Sequence, residues 1–154
     1  MPLSKRPLQL LGISGSLRQC SYNTFALQAI AELAPPQVDV QLFQQVADLP
    51  LFNPDDEPYS LPALRRLNQM LTQADILLLA SPEYAHGISG AMKNLLDHLV
   101  SGEAFVDMSV VLINTSPRAS HAQSALHEVV KTMSGQVIEE AGLQLPLLGS
   151  GYDV

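Results

Sequence analysis

Ile76-Leu77-Leu78-Leu79-Ala80 is apolar at every position and runs directly into Ser81-Pro82-Glu83-Tyr84-Ala85-His86-Gly87-Ile88-Ser89-Gly90. A strand with one wet face would alternate apolar and polar residues, so an unbroken run of five predicts a strand covered on both faces, as in a parallel sheet. The segment after it combines a proline of fixed φ, one large aromatic ring and two glycines, which suits a loop that presents backbone and a single ring. A planar heterocycle could stack on or beside Tyr84 while Gly87 lets its edge approach the main chain.

Outward from this stretch the same events recur. Upstream, Leu8–Ile13 is a short apolar run ending in a Ser/Gly cluster, and Leu27, Ile30 and Leu33 then fall at helical spacing until Pro35-Pro36 stops the helix. Val38-Asp39-Val40-Gln41-Leu42 alternates cleanly and predicts a more exposed strand near a sheet edge. Residues 43–60, with Pro50, Pro54, Pro58 and the acidic trio Asp55-Asp56-Glu57, predict an irregular surface loop of the kind that often serves a site. A helix from about 61 to 72 puts Leu64, Leu67 and Leu71 on one face. Downstream come a helix from about Ile88 to Val100 with Ala91, Leu95 and Leu99 inward, and strand Val110–Ile113. Then follow a helix carrying Ala122, Ala125, Val129 and Met133, and a weak last strand somewhere in 136–146. Strands alternating with helices predict an α/β domain with a parallel sheet, helices on both faces and right-handed crossovers. One domain over 1–154 is expected at this length, with no internal repeat. Ligands in such sheets bind beyond the carboxyl ends of the strands, so loops 14–23, 81–87 and 114–119 are the places to search.

Bulk properties narrow the partners. Eight Lys plus Arg against fifteen Asp plus Glu give a net charge of −7, a field that opposes a phosphate polymer, so no nucleic-acid partner is expected. No apolar run approaches the roughly 20 residues of a membrane helix, and no membrane partner is expected. Met1–Pro7 carries two basic residues but is not followed by the apolar stretch of a signal peptide. The single cysteine, Cys20, excludes an intramolecular disulfide and suits a cytoplasmic location. His86, His98, His121 and His127 never pair at i, i+4, and no metal site is expected.

Ser14-Gly15-Ser16-Leu17-Arg18-Gln19-Cys20-Ser21-Tyr22-Asn23 lies between a strand end and a helix start. Its amide N–H groups, the hydroxyls of Ser14, Ser16 and Ser21, and the planar fork of Arg18 can wrap a phosphate. The plainer alternative is that Ser21 or Asn23 only caps the helix and Arg18 is a solvated side chain. There is no G-x-x-x-x-G-K-[ST] and no G-x-G-x-x-G, and Gly12-Ile13-Ser14-Gly15-Ser16 misses the nucleophile elbow at its last position, which weakens an esterase reading through Ser14 or Ser16.

Two motifs together resemble the NAD(P)H-dependent FMN reductases and their quinone, azo-dye and chromate reductase relatives. They are Gly15-Ser16-Leu17-Arg18 with Ser21 and Asn23, and Ser81-Pro82-Glu83-Tyr84 with Gly87, Gly90, Lys93-Asn94 and Asp97. The resemblance implies a flavodoxin-like, doubly wound five-stranded parallel sheet of order 2-1-3-4-5. It implies FMN as cofactor, NADPH or NADH as co-substrate, a small-molecule electron acceptor, and a homodimer or homotetramer. The phosphate would sit in the first loop and the ring against Pro82, Glu83, Tyr84 and Gly87. Ser14, Ser16, Arg18, Ser21, Tyr22, Asn23 and Ser116 complete the candidate cofactor-binding set. No side chain is expected to act as acid or base in a hydride step, because the cofactor carries the chemistry. Lys93, Asn94 and Asp97 are expected in capping, i, i+4 pairing or a subunit contact, His98 at the surface or an interface, and His86 beside the ring pocket. Glu83 is expected to contribute its backbone N–H rather than its carboxylate. The chain departs from the family in lacking a glycine-rich loop at 114–119 and in stopping at Val154, where many relatives continue into a helix, so one sheet face should be less well covered. The alternative of another class is a flavodoxin-like electron carrier without nicotinamide turnover.

Overall fold

The computed structural model describes residues 6–58 and 60–152. The first five residues of the basic N-terminal stretch lie outside them.

Four strands of continuous or alternating apolar character assemble in parallel: β1 (Leu8–Ser14), β2 (Val38–Leu42), β3 (Ile76–Ala80) and, further on, a strand at Ser109–Asn114. Between β3 and that last strand stand two short segments, β4 (Glu83–Tyr84) and β5 (Gly87–Ile88), so Ser109–Asn114 is β6. The sheet order is β2-β1-β3-β6, with Gly12 beside Leu42 and Leu78, and Leu78 beside Val111. Leu77–Ala80 and Val110–Asn114 are buried throughout, whereas β2 exposes Asp39 and Gln41, as expected of an edge.

The fifth position differs from expectation. Instead of one strand it holds two dipeptides, β7 (Gln136–Val137) and β8 (Leu143–Gln144), each parallel to β6 and separated by a 3-10 turn at Glu139–Ala141. The sheet is therefore the expected five-position array with its last member broken. The sequence between them, Ile138-Glu139-Glu140-Ala141-Gly142, has no period-2 pattern that could sustain a ladder.

Helices α1 (Tyr22–Leu33), α2 (Pro62–Gln73), α3 (Gly90–Val100) and α4 (Ser120–Thr132) alternate with the strands. Pro62 opens α2 at a position where its missing N–H costs nothing. The helices α2, α3 and α4 share one core with Leu11, Ile13, Leu77, Leu79 and Leu112, while α1 alone contributes Ala26 and Leu27 to the opposite core over Leu78, Ala80, Val111 and Ile113. Leu145, from the segment after β8, packs against that second core and covers part of the face α1 does not reach. Two inward faces are wider than expected: α3 buries Met92 and Leu96 beside the expected Leu95 and Leu99, with Ala91 against the core, and α4 buries Leu126 and Val130 beside Ala122, with Val129 and Met133 against the core. Ile88 belongs to β5 rather than α3, whose first turn is capped by Ser89 Oγ accepting from Met92 N at 3.1 Å.

At the amino ends of the strands, Asp75 locks β1 to β3. Its carboxylate accepts from Arg6 Nη1 and Nη2 at 2.8 and 2.7 Å and from Gln9 N at 2.8 Å, and its own N–H donates to Gln9 O. The Arg6 guanidinium, and after it the Gln9 N–H, hold the Asp75 carboxyl below the usual carboxylate range.

Loop 43–60 is less free than its composition implies. Phe43, Val46 and Leu49 are buried. Asn94 Nδ2 donates to Pro50 O and Phe52 N donates to Asn94 Oδ1, both at 2.8 Å. His98 Nε2 lies 2.8 Å from the same Pro50 O, and its ring meets Phe52 edge-on with centroids 5.4 Å apart. Asn94 and His98 are thus latches between α3 and this loop, a correction to the surface or interface role expected for His98. Lys93 and Asp97 form the expected i, i+4 pair at 2.6 Å.

Candidate functional site

The carboxyl ends of β1, β3 and β6 open into one cleft of about 300 Å³. Its lining comes from the first loop and α1 (Ser16, Arg18, Ser21, Tyr22, Asn23), the third-strand loop (Ser81, Pro82, Glu83, Tyr84), the loop after β6 (Thr115, Ser116, Arg118) and Leu148. Nine of the eleven sequence-predicted residues therefore meet in one place, drawn from segments up to a hundred positions apart. Ser14 and Gly87 do not line it.

The first loop owes its shape to close packing beneath it. Gly15 N donates to Ala80 O at 2.8 Å, and Ser89 Oγ donates to Gly15 O at 2.6 Å. A Cβ at position 15 would lie 2.8 Å from both Met92 Cβ and Ser89 Oγ, so only glycine lets the loop sit on the start of α3. Ser14 Oγ accepts from Ser16 N (3.2 Å) and Thr24 Oγ1 (3.0 Å), which makes it an internal brace facing the neighbouring cleft between β1 and β2. Ser21 caps α1, its Oγ accepting from Thr24 N at 3.4 Å, and is itself buried. The capping alternative weighed from sequence is thus true of Ser21 without emptying the loop of donors. The N–H groups of Tyr22 and Asn23 lie in the first helical turn, ahead of any i−4 carbonyl within α1. Asn23 is buried, its Oδ1 accepts from Thr115 Oγ1 at 3.2 Å, and its Nδ2 has no acceptor among the described residues. Tyr22 Oη donates to Tyr152 O at 2.7 Å, which fixes the ring of Tyr22 at the cleft edge and commits its hydroxyl elsewhere.

The third-strand loop is a tight hairpin. Glu83–Tyr84 pairs antiparallel with Gly87–Ile88, and Ala85 and His86 both take positive φ, 50° and 61°. Two successive left-handed residues give the hairpin turn matched to strand twist, usually signalled by Asn-Gly. Here Ala-His occupies it, with the His86 ring stacked on His121 at 4.3 Å. Glu83 Oε2 accepts from Ala122 N at 2.8 Å, so its carboxylate caps the open first turn of α4. Tyr84 is half exposed, and a Cβ at Gly87 would meet only Tyr84 O at 3.7 Å, so the hairpin offers open main chain beside one free ring.

Thr115, Ser81, Arg118 and Leu148 line the cleft although sequence analysis did not select them. For Arg118 the signal was available, since a cation in a strand-end loop of an acidic chain needs a partner. Neither Arg18 nor Arg118 forms an ion pair with any described residue. The histidines do not converge on a metal, and no group of three or more His, Cys, Asp or Glu among the described residues is arranged to hold one.

A doubly wound parallel sheet with a donor-lined, cationic cleft at the ends of its first and third strands defines the flavodoxin-like class. Within that class the chain belongs to the NADPH-dependent FMN reductase family, whose model matches residues 8–143. It is 42% identical over 93 residues to an NAD(P)H-dependent FMN reductase of Pseudomonas aeruginosa, an alignment covering 58% of this chain and 49% of that protein. It is 32% identical over 94 residues to a quinone reductase of Escherichia coli, covering 60% and 50% respectively. The chain thus spans about half the length of these curated relatives. A flavoenzyme NAD(P)H:(acceptor) oxidoreductase from Paracoccus denitrificans shares the fold with a TM-score of 0.77 at 24% identity, over 86% of this chain and 75% of that one.

Proposed function

We propose that this chain is an FMN-binding oxidoreductase that takes reducing equivalents from NADPH or NADH and passes them to a quinone, a flavin or a similar small acceptor. The observation that carries the proposal is the pairing, in one cleft, of unpartnered anion donors with an open hairpin surface beside Tyr84. The residues fit the cofactor: Ser16, Arg18, Asn23 and the first-turn N–H groups of α1 would hold the phosphate. Pro82, Tyr84 and the main chain of Glu83 would hold the ring, with Ser116 at the third wall. Bound FMN supplies a ring that takes hydride from a reduced nicotinamide and gives electrons to an acceptor. The chain's own part is placement: the Glu83–Ala122 hydrogen bond and the His86–His121 stack fix the hairpin against α4, so the ring-bearing wall is held rigid.

The relatives named above act on FMN, NAD(P)H and quinone, which supports the same substrate classes here. We place the protein in the cytoplasm as a single-domain unit. None of its described helices is long and apolar enough to cross a membrane. We further propose a homodimer or homotetramer, supported by the sheet face on which α1 is the one helix among the described residues; light scattering at micromolar concentration should give at least twice 16.6 kDa. The activity test is direct. Purified protein with added FMN should oxidise NADPH or NADH saturably under air and faster with a quinone present, whereas absence of turnover with bound flavin would contradict the proposal.

A further inference from the structure

We propose that Arg118 and Arg18, from the loops after β6 and β1, clamp a single phosphate dianion between them, the phosphate of the bound flavin mononucleotide. This rests on the FMN reading above and adds a second guanidinium, on a separate wall, to the cradle.

The charge distribution points to it. The chain carries −7 overall, yet both arginines of this cleft lack an ion-pair partner among the described residues. The one carboxylate in the lining, Glu83, is already taken by Ala122 N. A cleft lined by two guanidiniums without an ion-pair partner among the described residues and by a single carboxylate, in an acidic protein, is a local site for an anion. A phosphate monoester carries about −1.5 to −2 at neutral pH, a charge one arginine does not match and two do. Each planar fork can donate two parallel hydrogen bonds to phosphate oxygens.

The loop geometry holds Arg118 for that purpose. Ser116 N donates to Asn114 Oδ1 at 3.0 Å, Ala119 N to Ser116 O at 3.2 Å, and Arg118 N to Ser116 Oγ at 3.3 Å, so the turn is set by its own side chains. Thr115 Oγ1 ties the base of this turn to Asn23 at the first turn of α1, which is the phosphate wall. That same bond orients the buried Asn23 so that its Nδ2 is left as a donor. The stitch brings the Arg118 loop to the end of the cleft where Arg18 and the helix start already lie.

The test titrates the full chain with FMN and with riboflavin by flavin fluorescence, for the unmutated protein, Arg118→Ala, Arg118→Lys and Arg18→Ala. Arg118→Ala should lower FMN affinity roughly tenfold or more, the loss of one charged hydrogen-bonding group, and leave riboflavin affinity unchanged. Arg118→Lys should recover part of the loss, since it keeps the charge without the fork. Added sodium chloride should weaken FMN less in Arg118→Ala than in the unmutated protein, because one screened attraction is gone. The clamp is overturned if Arg118→Ala binds FMN as the unmutated protein does, if both flavins weaken alike, or if only the KM for reduced nicotinamide rises. Should the unmutated protein show no preference for FMN over riboflavin, the phosphate cradle itself falls with the clamp. A preference that survives intact in Arg118→Ala removes the clamp alone.

Discussion

At the amino ends of β1 and β3, Arg6, Gln9 and Asp75 satisfy one another: the carboxylate receives three hydrogen bonds and the cation is spent on it. At the carboxyl ends of β1, β3 and β6, Arg18, Arg118 and the Asn23 amide line a cleft whose one carboxylate, Glu83, is turned to the start of α4, and neither arginine forms an ion pair with a described residue. Both ends are polar, so polarity alone does not distinguish a site. What differs is whether the donors have acceptors within the chain. Where they do, the interaction serves the sheet, and where they do not, the like charges gathered in one cleft leave a local positive field that an anionic ligand would match. The two ends should therefore separate cleanly under mutation, one through ligand affinity and the other through stability.

The largest separation is expected at Arg18. Replacing it with alanine should cost about 1.5–3 kcal/mol of FMN binding, through the lost charged hydrogen bonds, with Tm unchanged because its guanidinium forms no ion pair with a described residue. A fall in Tm comparable to that of a core mutation would place Arg18 among the structural residues and break the contrast. Tyr84→Ala comes next. It should weaken FMN by about 0.5–1.5 kcal/mol beyond lost area and raise the fluorescence of the flavin that remains bound; unchanged quenching would move the ring away from the hairpin. The smallest effect belongs to the other end. Asp75→Asn should lower Tm on the order of 2 °C, as expected for a partly exposed pair in a chain of this size, and leave FMN affinity alone. The pH dependence sharpens it. Because the folded-state pKa of Asp75 is lowered, its contribution is fully present above the unfolded value of about 3.9 and is lost as pH falls through the folded one. Thermal melts of the two proteins should stay a constant distance apart above about pH 4 and close on each other as the pH falls below it.

How much of this was legible in the chain depends on which physical signal each part carries. Unbroken apolar runs made β1, β3 and β6 plain, because a strand buried on both faces leaves no choice of residue. The alternation of Val38–Leu42 marked the edge for the same reason. The hairpin at 83–88 was hidden because Ala85-His86 occupies a turn that sequence normally signals with Asn or Gly, and helical spacing then absorbed Ile88 into α3. The fifth strand was visible only as weak apolar content, since two dipeptides held by β6 need no periodicity of their own. In the site, loops 1 and 3 were readable because their small residues have few other reasons to cluster. Arg118 carries a weaker signal, a lone cation in a loop without glycines, and the fold adds what the chain does not show, that the loops after β1 and β6 line one cleft. Ser14 stands apart from the cleft lining: its hydroxyl oxygen accepts from Ser16 N and Thr24 Oγ1 and braces the loop, a contact that only the folded loop reveals.

The central claim is that the donors at the carboxyl end are completed by a phosphate, and FMN against riboflavin tests it most directly, because the two share ring and ribityl chain and differ only in that charge. Titration of the unmutated protein with each flavin should show FMN bound tighter by a factor on the order of ten to several hundred, the equivalent of one or two charged hydrogen bonds. Equal affinities would contradict the account and leave loop 14–23 as no more than the capped start of a helix.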